Sequence, residues 1–211
     1  MRCLGVLGGE SIGEEALRIW ATASDLIIAA DGGYRHLRSV VIPPDLIIGD
    51  MDSVGNLDDV DPKLIQIDED QDRSDLEKLF TTAKRNGARE VVLICAHGGR
   101  MDHFLASFSA AIATDFSVRW VLPNEHVVLL RPGFSGMFST GGAKRLSLMP
   151  LDGTCRVSTQ GLQWNLNQDE LEVGHFWSLS NKSVRETIYV EVYGGFLVLM
   201  VENLPEVIPE W

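Results

Sequence analysis

Leu46-Ile47-Ile48-Gly49-Asp50-Met51-Asp52-Ser53 is a short apolar run that breaks, through one glycine, into two carboxylates one residue apart. Consecutive large aliphatic residues bounded by turn formers read as a buried strand. A strand that ends in an acidic turn presents hard oxygen ligands at the edge where open α/β sheets place what they bind. Two like charges this close repel each other unless a cation joins them, so the turn asks for a hard divalent ion.

Two further acidic turns lie nearby in the chain. Leu26-Ile27-Ile28-Ala29-Ala30 runs into Asp31-Gly32-Gly33, and Asp70-Gln71-Asp72-Arg73-Ser74-Asp75 precedes a helical pattern. Taken alone, Asp31 could be an ordinary turn former and Asp75 a residue favoured by the positive end of its helix. Working outward, short apolar runs alternate with helix-period segments over the first 130 residues, which predicts βα units around a mainly parallel sheet. The strand candidates are Cys3 to Leu7, Leu26 to Ala30, Leu46 to Ile48, Leu64 to Ile67, Val91 to Cys95 and Val118 to Leu122. Ser74-Asp75-Leu76-Glu77 has capping-box spacing ahead of Leu76, Leu79, Phe80 and Ala83, and Asn86-Gly87 closes that helix. A second helix is expected from Met101, burying Phe104, Leu105, Phe108 and Ile112.

From Arg131 onward no helical period persists. Pro132-Gly133-Phe134-Ser135-Gly136 reads as a linker. Alternating runs follow at Arg145 to Met149, Thr154 to Ser158, Thr187 to Tyr193 and Phe196 to Val201, the pattern of an antiparallel sandwich or barrel. The expected architecture is an α/β domain over 1–131 followed by an all-β sandwich over 132–211.

Composition narrows the partners. Lys and Arg number 18 against 30 Asp and Glu in 211 residues, a net charge of −12. Such a chain is a poor candidate for gripping a bare nucleic-acid backbone, and any phosphate it binds calls for a metal. Cys3, Cys95 and Cys155 are odd in number and far apart, which suggests neither a disulfide framework nor a zinc site. No apolar run approaches the ~20 residues of a membrane helix, and the N-terminus lacks signal-peptide character. A soluble, cytoplasmic protein is expected, with no membrane partner.

No Walker-type loop is present, because Gly142 and Ala143 stand where Lys and Ser or Thr are needed. Carboxylate-held Mg²⁺ is the alternative device for holding phosphates. His97-Gly98-Gly99-Arg100-Met101-Asp102-His103 follows an apolar strand and opens a helix. Its glycine pair permits backbone approach to a phosphate, and Arg100 offers a forked donor; a tight turn with Arg100 paired to a surface acid is the plainer reading. His36, His97, His126 and His175 lack metal-ligand spacing and read as structural. In the second half, Trp164 within Gly161-Leu162-Gln163-Trp164-Asn165-Leu166 could stack on a flat cationic ring, although by pattern alone a sandwich-core tryptophan is preferred.

In this order, Asp31-Gly32-Gly33, Gly49-Asp50-Met51-Asp52-Ser53, Asp70 to Asp75, Gly98 to His103, Gly161 to Leu166 and Ser180-Asn181 resemble the thiamine pyrophosphokinase family, with a likeness spanning nearly the whole chain. Met51, Ser74 and Met101 stand where Phe, Thr and Leu are usual, and none of these changes removes a charge. The resemblance implies the α/β-then-β architecture, a homodimer with interfacial active sites, and transfer of the pyrophosphoryl group of ATP to the hydroxyl of thiamine, with AMP leaving. On that reading Asp50, Asp52 and Asp75 hold Mg²⁺ and Arg100 stabilises charge on the moving group. Asp31, Gly32, Gly98, Gly99 and Asp102 complete the ATP site. Trp164 stacks on thiamine, while Gln71, Ser178, Ser180 and Asn181 supply hydrogen bonds to it. The proton acceptor stays open among Asp50, Asp52 and Asp75. Two other classes share parts of this pattern: a metal-dependent phosphohydrolase, and a non-catalytic thiamine- or nucleotide-binding protein.

Overall fold

The computed structural model describes residues 1–58, 60–204 and 206–208. They form two compact units, Met1–Leu122 and Pro123–Trp211.

The first unit is an α/β layer structure. Strands β1 (Arg2–Val6), β2 (Leu26–Ala30), β3 (Leu46–Gly49), β4 (Ile65–Ile67), β5 (Glu90–Ile94) and β6 (Ser117–Val121) lie in the order β6-β5-β1-β2-β3-β4. Every pairing among them is parallel. All six strand expectations are met to within a residue or two. The order runs outward from β1 in both directions, so the chain changes direction between β1 and β5. At such a point two successive loops diverge and leave a crevice above the carboxyl ends of the strands.

Helices α1 (Glu14–Thr22), α2 (Tyr34–Ser39), α3 (Asp75–Arg85) and α4 (Met101–Ile112) complete the unit. The sequence of α3 sets its own start: Ser74 Oγ accepts from Glu77 N, and the Glu77 carboxylate accepts from Ser74 N. Its inward face carries Leu76, Leu79, Phe80 and Ala83, all buried. Burial of a large aliphatic or aromatic side chain contributes about 1.5–3 kcal/mol, so packing rather than propensity holds this helix in place. Helix α4 departs from expectation. Leu105 is 61% exposed and Met101 68% exposed, and the buried residues are Ser107 and Ala111. Its apolar stripe is wider than the part covered within the unit.

The second unit contains two antiparallel sheets. One has the order β12-β9-β14-β7, from β7 (Glu125–Leu130), β9 (Arg145–Pro150), β12 (Ser178–Lys182) and β14 (Leu197–Glu202). The other is β11-β10-β13-β8, from β8 (Ser135–Ser139), β10 (Thr154–Gln160), β11 (Asp169–Glu172) and β13 (Thr187–Gly194). Inward residues of both, among them Leu130, Leu148, Val157, Val190 and Leu199, share one apolar cluster. The segment expected to be a linker is instead a turn inside this unit. Phe134 N donates to Arg131 O, Gly133 N donates to Val192 O, and Phe134 packs against the cluster. Glu125–Leu130 also belongs here, paired with β14, so the division falls after Leu122 rather than near residue 132. The three cysteines are free and buried. Of the acidic C-terminal segment, Pro205 and residues 209–211 lie outside the described residues.

Candidate active site

The crevice between the diverging loops is a cavity of about 810 Å³. Its wall is made from the residues that follow the strands: Leu7 to Gly9 after β1, Asp31 and Gly32 after β2, Asp50, Asp52 and Ser53 after β3, and Cys95 to His97 after β5, with residues from α2, α3 and α4. Asp31, Met51 and Cys95 all adopt positive φ, at 42°, 68° and 55°. Non-glycine residues in this conformation cost stability and cluster at functional sites. The Asp31-Gly32-Gly33 turn seats directly on the end of β1: a Cβ on Gly33 would come within 2.0 Å of Val6 O. Only glycine allows that approach.

Three carboxylates converge. Asp31, Asp50 and Asp52 each place an oxygen within 4.8 Å of the other two. Asp31 is buried, Asp50 partly so and Asp52 exposed. Their orientation is set locally: Asp50 Oδ1 accepts from Asp52 N at 3.3 Å, Asp31 Oδ1 accepts from Ser53 N at 3.3 Å, and Ser53 Oγ donates to Asp52 Oδ1 at 2.8 Å. The backbone N–H of Asp52, with help from the Gln71 amide, holds the Asp50 carboxyl below the usual carboxylate range. An all-oxygen set of three acidic groups is the donor chemistry that Mg²⁺ or Ca²⁺ takes.

Asp75 lines the same cavity from the first turn of α3 but is outside the converging trio, whereas Asp31 is inside it. Burial, then the nearby charge of Asp31, raises the Asp75 carboxyl above its ordinary range, and Lys78 opposes the shift. The sequence reading passed over Lys78. Its side chain is 3% exposed, its Nζ donates to Asp68 O at 2.8 Å and stands 3.7 Å from Asp75 Oδ1. The signal available for it was the three-residue spacing from Asp75, which stacks the two side chains on one helix face. Within the third acidic turn Asp70 is paired to Arg73, which also holds Asp68 just before the turn.

From the loop after β5 and the first turn of α4, Gly99, Arg100, Asp102 and His103 line the cavity. Asp102 takes Arg100 in a forked ion pair and accepts from His103 N, which lowers its carboxyl, the Arg100 bond being the largest cause. Gly98 is not on the wall. It has a φ of 78°, and a Cβ there would strike the Glu10 side chain at 2.4 Å, so it lets the β1 and β5 loops cross. His97 is a wall residue, against its reading as purely structural, and has its Nε2 3.6 Å from Glu10 Oε2. His36 Nε2 donates to Gly9 O at 2.8 Å, and His126 is fully buried.

In the second unit Trp164 is 59% exposed, so it is not a core residue. The turn that carries it is closed by Asn165 Oδ1 accepting from Leu162 N, which sends Leu162 and Leu166 inward and the indole out. Asn181, 2% exposed, locks this turn to β12: its Oδ1 accepts from Trp164 N and Lys182 N, and its Nδ2 donates to Trp164 O and Ser178 Oγ. All four of its hydrogen-bonding positions are thereby used. Ser180, exposed and at φ 53°, sits in an irregularity of β12 between Ser178 and Asn181.

Two family models match the chain: "Thiamin pyrophosphokinase, catalytic domain" over residues 17–121, and "Thiamin pyrophosphokinase, vitamin B1 binding domain" over residues 138–197. Thiamine pyrophosphokinase 1 of Oryza sativa subsp. japonica is 25% identical over 199 residues, covering 83% of this chain and 71% of its own length. Thiamine pyrophosphokinase 1 of Arabidopsis thaliana is 28% identical over 172 residues, covering 70% of this chain and 61% of its own. Among solved structures, the thiamin pyrophosphokinase of Geobacillus thermodenitrificans superposes with a TM-score of 0.84 at 21% identity, covering 96% of this chain and 98% of that one. That of Bacillus subtilis gives 0.83 at 20% identity, covering 96% and 99%. At these identities the structural likeness speaks for the fold.

Proposed function

Because the chain belongs to the thiamine pyrophosphokinase family, we propose that the cavity above β1 and β5 is where ATP gives up its pyrophosphoryl group to thiamine. The protein is a thiamine diphosphokinase, forming thiamine diphosphate and AMP. The observation that carries the site assignment is the convergence of Asp31, Asp50 and Asp52 at the carboxyl edge of the sheet.

Those three residues are the proposed Mg²⁺ ligands, with Asp31 in the place that sequence alone gave to Asp75. The bound ion supplies neutralisation of phosphate charge, which this acidic wall lacks. In the transfer, the thiamine hydroxyl oxygen bonds to the β-phosphorus, the bond from that phosphorus to the α,β-bridging oxygen breaks, and AMP departs with the bond's electrons. The hydroxyl proton goes to Asp75. Its raised carboxyl is a better proton acceptor than an ordinary aspartate, and it is not among the converging ligands. Arg100, fixed by Asp102, and the backbone at Gly32 and Gly99 shape the phosphate end of the cavity. Positioning and charge compensation are most of what such transfers require.

In the second unit, Trp164 presents an open ring face to the cationic heteroaromatic acceptor, and Asn181 acts by fixing that ring. Ser178 and Ser180 are the proposed polar contacts in this unit; Gln71, which belongs to the first unit beside Asp50, is a separate proposed thiamine contact. A homodimer is proposed from the uncovered apolar residues of α4, Met101 and Leu105. Free buried cysteines suit a cytoplasmic setting.

Mixing protein, ATP, Mg²⁺ and thiamine and identifying both products tests this reading. AMP forming in step with thiamine diphosphate supports it. ADP, or phosphate released without thiamine, would assign a hydrolase, and no turnover would leave a binding protein.

A further inference from the structure

The cavity wall carries five carboxylates, Asp31, Asp50, Asp52, Asp75 and Asp102, and two guanidinium groups, Arg35 and Arg100. The two cations are differently placed. Arg100 is already held in a forked pair by Asp102, so its charge is offset and two of its donors are taken. Arg35, the second residue of α2, makes a single bond, Nε to Gly32 O at 3.3 Å, and has no carboxylate partner among the described residues.

That bond folds the side chain back over the acidic turn. A Cβ on Gly32 would lie 3.2 Å from Arg35 Nη2 and 3.6 Å from the Cβ of Ser53. The guanidinium therefore lies over Gly32, on the cavity wall, with neither Nη group hydrogen-bonded among the described residues, and the missing side chain of Gly32 is what leaves it room. An unpaired guanidinium fork matches two oxygens of one phosphate.

We propose that Arg35 is the nucleotide's phosphate-binding cation, gripping by its free fork the phosphate oxygens that the carboxylate-held metal leaves over. The proposal rests on the reading of this cavity as the ATP site. Within Tyr34-Arg35-His36-Leu37-Arg38 nothing marks Arg35 from the other helix charges; only the return of its side chain onto Gly32 does.

The test compares binding of ATP and of adenosine, which lacks phosphates, to wild type, Arg35→Ala, Arg35→Lys and Gly32→Ala, with KM values for ATP and thiamine alongside. Expected for Arg35→Ala is a loss of about tenfold or more in ATP affinity and a matching rise in its KM. Adenosine affinity and the KM for thiamine should stay as in wild type. Lysine should restore part of the loss, and Gly32→Ala, by crowding Nη2, should weaken ATP alone. Should Arg35→Ala not fold, Arg35→Gln carries the same comparison. Wild-type ATP affinity in Arg35→Ala, or equal losses of ATP and adenosine, would overturn the proposal. A wild-type protein that makes no thiamine diphosphate would instead defeat the functional reading, while the ATP-against-adenosine difference would still judge Arg35.

Discussion

Lys78 Nζ stands 3.7 Å from Asp75 Oδ1, one turn further along α3 from the carboxylate that lines the cavity. The ammonium is buried and tied to Asp68 O, so it acts as a fixed positive charge beside an acidic wall. It opposes the burial and the Asp31 charge that raise the Asp75 carboxyl. Lys78→Met keeps the volume of the side chain and removes the charge. The Asp75 carboxyl should then rise further, and the acid limb of the kcat/KM profile should move to higher pH. A pH–rate profile of the variant that overlays wild type would remove Asp75 as the proton acceptor.

Ser74→Ala deletes half of the capping box of α3. Loss of such a cap costs about 1 kcal/mol, measurable as a lower denaturant midpoint with an unchanged slope. The penalty should depend on pH. Glu77 is held below its ordinary value of 4.5 by the N–H and hydroxyl of Ser74. A lowered carboxyl contributes stability that is present above the unfolded value and lost as pH falls through the folded one. The difference between wild type and variant should thus be full at neutral pH and shrink on acidification below about 4.5. A gap of the same size in strong acid as at neutral pH would show that the bond from the Ser74 hydroxyl to the Glu77 carboxylate contributes nothing.

Trp164→Ala should raise the KM for thiamine and leave that for ATP largely unaltered, because the indole is exposed and belongs to the second unit. Asn181→Ala should do the same and destabilise the fold as well: removing a fully bonded buried amide strands its partners, at about 1–3 kcal/mol per unsatisfied group. Equal effects of Trp164→Ala on both substrates would contradict the stacking role.

Much of this was legible in the chain. Strands β2, β3 and β4 each end at or just before a Gly or Asp, and the Ser74 and Glu77 spacing marks the start of α3, because these signals are local. Short apolar runs cannot report which strands become neighbours. For that reason the exchange of Asp75 for Asp31 in the converging trio was invisible: it depends on β2 and β3 lying side by side. The exposure of Trp164, which the resemblance names as a stacking residue, was hidden from the pattern for the opposite reason. Its turn is set by one side-chain oxygen, Asn165 Oδ1, and by Asn181 across the sheet edge, so a large ring that pattern assigns to the core is turned to solvent. The Pro132 to Gly136 segment has linker composition, yet Phe134 anchors it in the core. The exposed stripe of α4 shows that an apolar period predicts a face to be covered, not what covers it.

Divalent-ion binding at the carboxylate trio is the decisive measurement. Mn²⁺, followed by its spin signal, would be titrated into wild type and into Asp31→Asn, Asp50→Asn and Asp52→Asn in the presence of a non-hydrolysable ATP analogue. Expected are a tightly held ion in wild type, an affinity lower by roughly tenfold or more in each variant, and turnover lower by roughly a hundredfold or more in Asp52→Asn at saturating Mg²⁺. Wild-type Mn²⁺ affinity in all three variants would contradict the carboxylate-held metal.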